Sequence, residues 1–176
     1  MSAPISRFNP LARLLHWAMA AMILAMLFVG IGMVSTVSPL HSRLLELHKP
    51  LGVVILALVL LRLVVRVSTR TPPLPPDMAG WQKLAAHGSH WMLYGLMLAM
   101  PLVGWGMLSA GGYPLVFAGG LHLPAILPQD RALYAGLRRL HSWLGLLLFG
   151  TVMAHLAAAL FHALIRRDGV FGSMRP

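Results

Sequence analysis

The chain holds nine histidines among 176 residues, with four acidic residues and no cysteine. Neutral imidazole is a common metal ligand, and a histidine's charge can change near neutral pH. Two of the nine, His141 and His155, lie in a stretch that also holds His162. From Leu140 to Ile165 it runs 26 residues without Asp, Glu, Lys or Arg. A segment that long and apolar crosses a bilayer as a helix, and ionisable side chains inside such a helix are expensive and usually functional. His155 follows His141 by 14 residues. At helical pitch the two rings point within ~40° of each other and lie about 21 Å apart along the axis. His162 falls on the same face one heptad further. Two imidazoles on one face, separated by much of a membrane's thickness, suit two stacked cofactors, each needing a partner from another helix.

The rest of the chain supplies those helices. It is 58% hydrophobic and 10% charged, with a mean hydropathy of +0.76. Several apolar runs near twenty residues mark an integral membrane protein. We read one domain, residues 1–176, an all-α four-helix membrane bundle with spans near 11–34, 44–65, 84–108 and 140–165. The first span is long and contains a histidine, so it reads as a retained helix rather than a signal peptide. Ser35 to Arg43 is a polar turn. Thr71 to Asp77 (Thr-Pro-Pro-Leu-Pro-Pro-Asp) is a stiff linker that cannot be helical. Pro101 is a kink in the third span. Ser109 to Gly136 is a longer apolar loop with glycine pairs at Gly111-Gly112 and Gly119-Gly120, and it caps the bundle or lies at the surface. No strand pattern demands explanation. The absence of cysteine excludes disulfides, thiolate iron–sulfur ligation and c-type haem attachment. The net charge of +10 flanks apolar spans, so it sets membrane orientation and does not call for a nucleic-acid partner.

Four spans put the N-terminus, the second-to-third linker and the C-terminus on one side. That side carries Arg7, Arg13, Arg62, Arg66, Arg70, Lys83, Arg166, Arg167 and Arg175; the other carries Arg43, Lys49, Arg131, Arg138 and Arg139. The excess predicts that both termini are cytoplasmic. Depth then sorts the histidines. His48 and His141 lie near the outer face, and His16 lies near the inner face with His155 as its counterpart. Each pair comes from two helices, as an iron held inside a bundle requires, and imidazole is a good axial ligand for haem iron. His162 is an alternative partner for His16. It would separate the irons by roughly 31 Å, the whole hydrocarbon thickness, against ~21 Å for His155. His48-x-x-x-Gly52 and His141-x-x-x-Gly145 place a glycine one turn after each outer histidine, where a porphyrin face would press on the helix. Lys49, Arg138 and Arg139 are candidates to pair with haem propionates. Trp17, Trp91 and Trp143 stand beside histidines near helix ends, where indoles also favour the interface.

These motifs resemble the bacterial diheme cytochrome b561 proteins over nearly the whole chain. The matching residues are Leu-Leu-His16-Trp, His48-x-x-x-Gly52 and Arg62-x-x-x-Arg66 before the Thr-Pro linker. They continue with His87-x-x-His90, Met-Pro101-Leu-Val-Gly104, His141 and His155-Leu-Ala-Ala-Ala. The resemblance implies a bacterial inner-membrane bundle with two non-covalent b haems, His16 paired with His155 and His48 with His141. It implies electron transfer to or from quinone. Some members resemble superoxide-to-quinone oxidoreductases, and related bundles serve as cytochrome b anchors of hydrogenases and dehydrogenases. Expected partners are membrane lipid, quinone, and superoxide or a periplasmic redox protein; a homodimer stays open. Whether the chain is an enzyme in its own right depends on whether its substrates are discrete small molecules.

Each signal has a plainer reading. His141 and His155 could hydrogen-bond between helices without iron. His16 and His48 could be interfacial side chains. His87 and His90 share a face near the surface, where a histidine is cheap, and ligation, a quinone contact or a propionate contact are the alternatives. His162 lies one turn before Arg166 and reads as interfacial. His41 and His122 read as loop residues. A histidine-lined cation transporter would want carboxylates inside the spans, and Glu46, Asp77, Asp130 and Asp168 all fall at or beyond the span ends.

Overall fold

The computed structural model describes residues 6–117 and 120–175. Gly119, expected in a turn, lies outside them. Four long helices dominate: α1 (Pro10–Ser35), α2 (Pro39–Ser68), α3 (Gly80–Ala110) and α4 (Arg131–Leu160). All four are long and apolar enough to cross a membrane, so the protein is a multi-pass membrane protein. The helix starts are written locally. Asn9 Oδ1 accepts from Leu11 N at 2.9 Å, Ser38 Oγ from Leu40 N at 3.3 Å, and Asp130 Oδ1 from Leu133 N at 2.7 Å. Pro10 and Pro39 follow the first two caps, where a missing N–H costs nothing.

The helices run past the expected spans. The turn between α1 and α2 shrinks to residues 36–38, and α4 begins nine residues before Leu140. A hydropathy pattern reports only the part that meets lipid, whereas a capped helix continues through its basic flank. The loop between α3 and α4 also contains a short antiparallel hairpin that was not expected, β1 (Leu115–Phe117) with β2 (Leu121–Leu123), in register Leu115↔Leu123 and Val116↔His122. Three-residue strands carry too little alternation to register as a pattern. The loop is tied to α3: Trp105 Nε1 donates to Pro124 O at 2.9 Å, and Ile126 N donates to Ser109 Oγ at 3.1 Å. Gly112 takes a left-handed φ of 71° as the chain leaves α3.

α1 packs on α2 and α3 on α4, with α2 against α3 joining the two pairs, while α1 and α4 make little backbone contact. The shared core is Met19 and Ile23 of α1, Ile55 and Val59 of α2, Leu96 and Met97 of α3, and Leu148 of α4. Leu148 is the single buried residue of α4. Much of the remaining apolar surface, such as Phe28, Val64 and Leu146, points outward, as lipid-facing residues do.

α4 ends in a π-helical turn, Phe161–Arg166, closed by Arg167 in the left-handed region and a bond from Arg167 N to His162 O of 2.8 Å. The chain then folds back onto α1. Phe8 N donates to Ser173 O at 3.1 Å, Arg13 Nη1 to Arg175 O at 2.8 Å, and Trp17 Nε1 to Met174 O at 2.9 Å.

Candidate functional site

The predicted histidines gather at two depths. Near the ends of α2 and α3 that meet the linker, the His16 ring lies 6.3 Å from that of His155, measured between centroids and inclined by 71°. At the opposite end the rings of His48 and His141 lie 6.1 Å apart, inclined by 72°. Each pair joins two helices that are not packed neighbours, α1 with α4 and α2 with α4. Among the described residues no hydrogen bond joins the members of either pair. The Nδ1 atoms of His48 and His141 are buried with no hydrogen-bond partner at all. Hydrogen bonding within each pair therefore does not account for the pairing.

Gly52 and Gly145 stand one turn beyond His48 and His141. A Cβ at either would meet only a methionine methyl, Met26 at 3.8 Å or Met100 at 3.7 Å, which is ordinary contact. Protein packing therefore does not require glycine at these places. Gly104 is tighter: a Cβ there would lie 3.3 Å from His141 Cε1 and 3.6 Å from its Nδ1. Pro101, one turn earlier in α3, has no N–H to give the Met97 carbonyl. Lys49 is half-buried beside His48, and Arg138 is exposed one turn before His141. Neither makes a salt bridge among the described residues.

The remaining histidines divide. His90, on α3, brings its ring within 5.5 Å of His155, so it belongs with His16 and His155. His87 instead points out and donates from Nδ1 to its own Lys83 carbonyl at 2.7 Å. His41 Nδ1 donates to Met33 O at 2.9 Å and ties the start of α2 to the end of α1. His122 sits in the hairpin. His162 does not join His16. The π turn aims it at Asp168, whose Oδ2 accepts from Nδ1 at 2.6 Å. Arg166 binds the same carboxylate through Nε at 3.2 Å and reaches Asp77 at 2.5 Å and Gln82 at 3.3 Å. Burial works to raise the Asp168 carboxyl, but the His162 hydrogen bond, the Val170 amide and the Arg166 charge together hold it below the ordinary range. This knot ties the C-terminal end of α4 to the linker and the start of α3.

Arg62 and Tyr94 were not predicted as a pair. Arg62 Nε donates to Tyr94 Oη at 3.1 Å, and the guanidinium carbon lies 5.9 Å from the Tyr94 ring centroid. A usable signal was present in the sequence, since Tyr94 follows His90 by four residues and so shares its helix face.

A family model described as prokaryotic cytochrome b561 matches residues 7–176. The chain belongs to the prokaryotic cytochrome b561 family. It is thus a membrane cytochrome, and the family implies b-type haem. Two Escherichia coli K12 proteins are similar along almost their full length. Cytochrome b561 homolog 1 is 28% identical over 98% of this chain and 98% of its own. Cytochrome b561 homolog 2 is 28% identical over 96% and 90%. A Yersinia pestis protein named probable superoxide oxidase CybB is 28% identical over 74% of this chain and 73% of its own. In this cytochrome b561 the resemblance drawn from the histidine motifs thus extends over the whole bundle.

Proposed function

We propose that this cytochrome b561 holds two b haems, one between His16 and His155 and the other between His48 and His141, and passes electrons between quinone and an acceptor or donor at the outer surface. The carrying observation is the two close ring pairs with no hydrogen bond between their members. Metal–imidazole bonds of about 2.0–2.1 Å put two ring centroids roughly 6 Å apart when their nitrogens oppose each other across an ion. The separations of 6.3 and 6.1 Å match that spacing, and the 5.5 Å between His90 and His155 is short for it. The weak backbone contact between α1 and α4, and the notches at Gly52 and Gly145, leave room for a broad planar group. A bound b haem supplies one-electron redox chemistry, with a potential set by axial ligands, burial and nearby hydrogen bonds. The chain's part is to offer two imidazoles per iron, leaving no position for oxygen. It also places the two sites about 21 Å apart along α4.

The test is optical. Purified protein is expected to carry two haems per chain, extractable by acid–acetone, and both low-spin by their reduced-minus-oxidised spectrum. A haem-to-protein ratio near zero, or rapid stoichiometric carbon monoxide binding to the reduced form, contradicts the assignment. The orientation has a separate check. A cytoplasmic reporter such as green fluorescent protein fused after Pro176 should be active, and an active periplasmic reporter there instead reverses the topology.

Superoxide as the outer electron donor has two supports. One is the similarity to a protein named probable superoxide oxidase. The other is the outer basic group of Lys49, Arg131, Arg138 and Arg139, which would steer an anion inward. Steered association weakens with salt, so quinone reduction driven by superoxide should slow steeply as ionic strength rises. Service as the cytochrome b anchor of a larger dehydrogenase or hydrogenase is the alternative. Co-purification with a large periplasmic subunit would favour it.

A further inference from the structure

Arg62 is a charge within a membrane span that has no counter-charge among the described residues. It lies six residues before the end of α2 at Ser68, matching the depth of His16, six residues after the start of α1 at Pro10. Arginines near a span end ordinarily extend outward to reach water. Arg66, one turn nearer the end of the helix, is exposed, with its guanidinium over the Phe8 ring at 5.8 Å. Arg62 turns the other way. It is half-buried and donates to Tyr94, fourteen residues into α3 and deeper than His90. Tyr94 lies one turn beyond His90 on the same face of α3, and His90 lies 5.5 Å from His155, so the bond to Tyr94 holds the guanidinium on the side of the inner histidines.

None of these neighbours neutralises it. The Tyr94 hydroxyl satisfies one N–H and leaves the charge unpaired. Glu46 is sixteen residues back along α2, about 24 Å away. Asp77 and Asp168 are held by Arg166, and Asp130 caps the outer start of α4. Among the described residues no carboxylate lies within salt-bridge distance of Arg62, and its two Nη groups make no hydrogen bond. A partly buried cation needs an ionic partner. With Nε occupied by Tyr94, what remains is the planar Nη pair, whose fork matches a carboxylate.

We propose that Arg62, held by Tyr94, is the counter-charge for an ionised carboxylate of the inner haem. This rests on the two-haem reading and adds to it a positioning and tuning residue. A fixed cation beside the inner site favours the electron-rich, reduced state there and leaves the outer site, roughly 21 Å away along α4, unaffected.

Redox titration of the intact holoprotein, following both haems by their spectra, tests it. R62Q should keep two low-spin haems. One of them should become harder to reduce by about tenfold in its equilibrium constant, or 59 mV for a one-electron couple. R62K keeps the charge but loses the fork, so it should fall between R62Q and the parent. Y94F frees the guanidinium and should shift the same haem in the same direction by less. Loss of the inner haem from R62Q with retention in R62K also supports an ionic partner. Unchanged potentials in R62Q, or loss of that haem from both variants, overturns the proposal. Haem whose carboxylates are esterified supplies the last arm. R62Q should weaken retention of ordinary haem at the inner site much more than retention of the ester, and an equal loss with both shows that Arg62 does not act through the carboxylate. Failure of the underlying reading looks different, since the parent itself would then lack haem.

Discussion

Replacing His155 by alanine should leave one haem per chain, and replacing His16 by alanine should leave the same one. Both rings belong to the group at the linker end of the bundle and lie 6.3 Å apart. Each is one of two axial ligands in the proposed arrangement, so losing either opens the same iron. The double variant should lose no more than the singles, because effects on a shared site are not additive. The His48→Ala and His141→Ala variants should spare the inner haem and lose the outer one. His162→Ala is the discriminating control. It lies on the face that a regular helix would share with His155, yet the π turn commits it to Asp168 at 2.6 Å. Both haems should stay in that variant. Haem-to-protein ratio and spin state are the measurements. If His155→Ala kept two low-spin haems while His162→Ala lost one, the inner pairing would be wrong.

Gly104→Val should abolish or convert the outer haem without touching a ligand. A Cβ at Gly104 would already lie 3.3 Å from His141 Cε1, tighter than nine in ten real Cβ contacts. The two further carbons of valine would drive the His141 ring from its place opposite His48. Disturbing groups that orient a metal-bound histidine typically costs about 10–100-fold in metal affinity, and a direct steric push belongs at the upper end. The expected outcome is one low-spin haem, with the second absent or high-spin and able to take up carbon monoxide when reduced. Gly95→Val is the matched control, because a Cβ at Gly95, on the same helix, meets nothing within 4 Å. Two low-spin haems in Gly104→Val would show that the ring has room to move. Loss in both variants would point to the helix backbone rather than to His141.

The sequence by itself determined the four apolar helices and the depth of each histidine within its own helix. Helical pitch and rise are set by the helix's own backbone dihedrals and hydrogen bonds, so counting from His141 to His155 needs no neighbouring helix. The caps at Asn9, Ser38 and Asp130 were equally local, although the charged flanks hid how far α3 and α4 extend. What only the tertiary structure decided is which faces meet. A span that is apolar on every side carries no polar stripe to say which way it turns. The sequence therefore grouped His87 with His90, while packing sends His87 outward and brings His90 to His155. The same packing joins Arg62 to Tyr94 across 32 positions and folds the C-terminal segment back to Trp17 across 157. At His162 a single wider turn displaced the regular heptad. The local hydrogen bond from Arg167 to His162 closes that turn, and the carboxylate of Asp168 takes up the ring, neither of which a helical count along α4 could register.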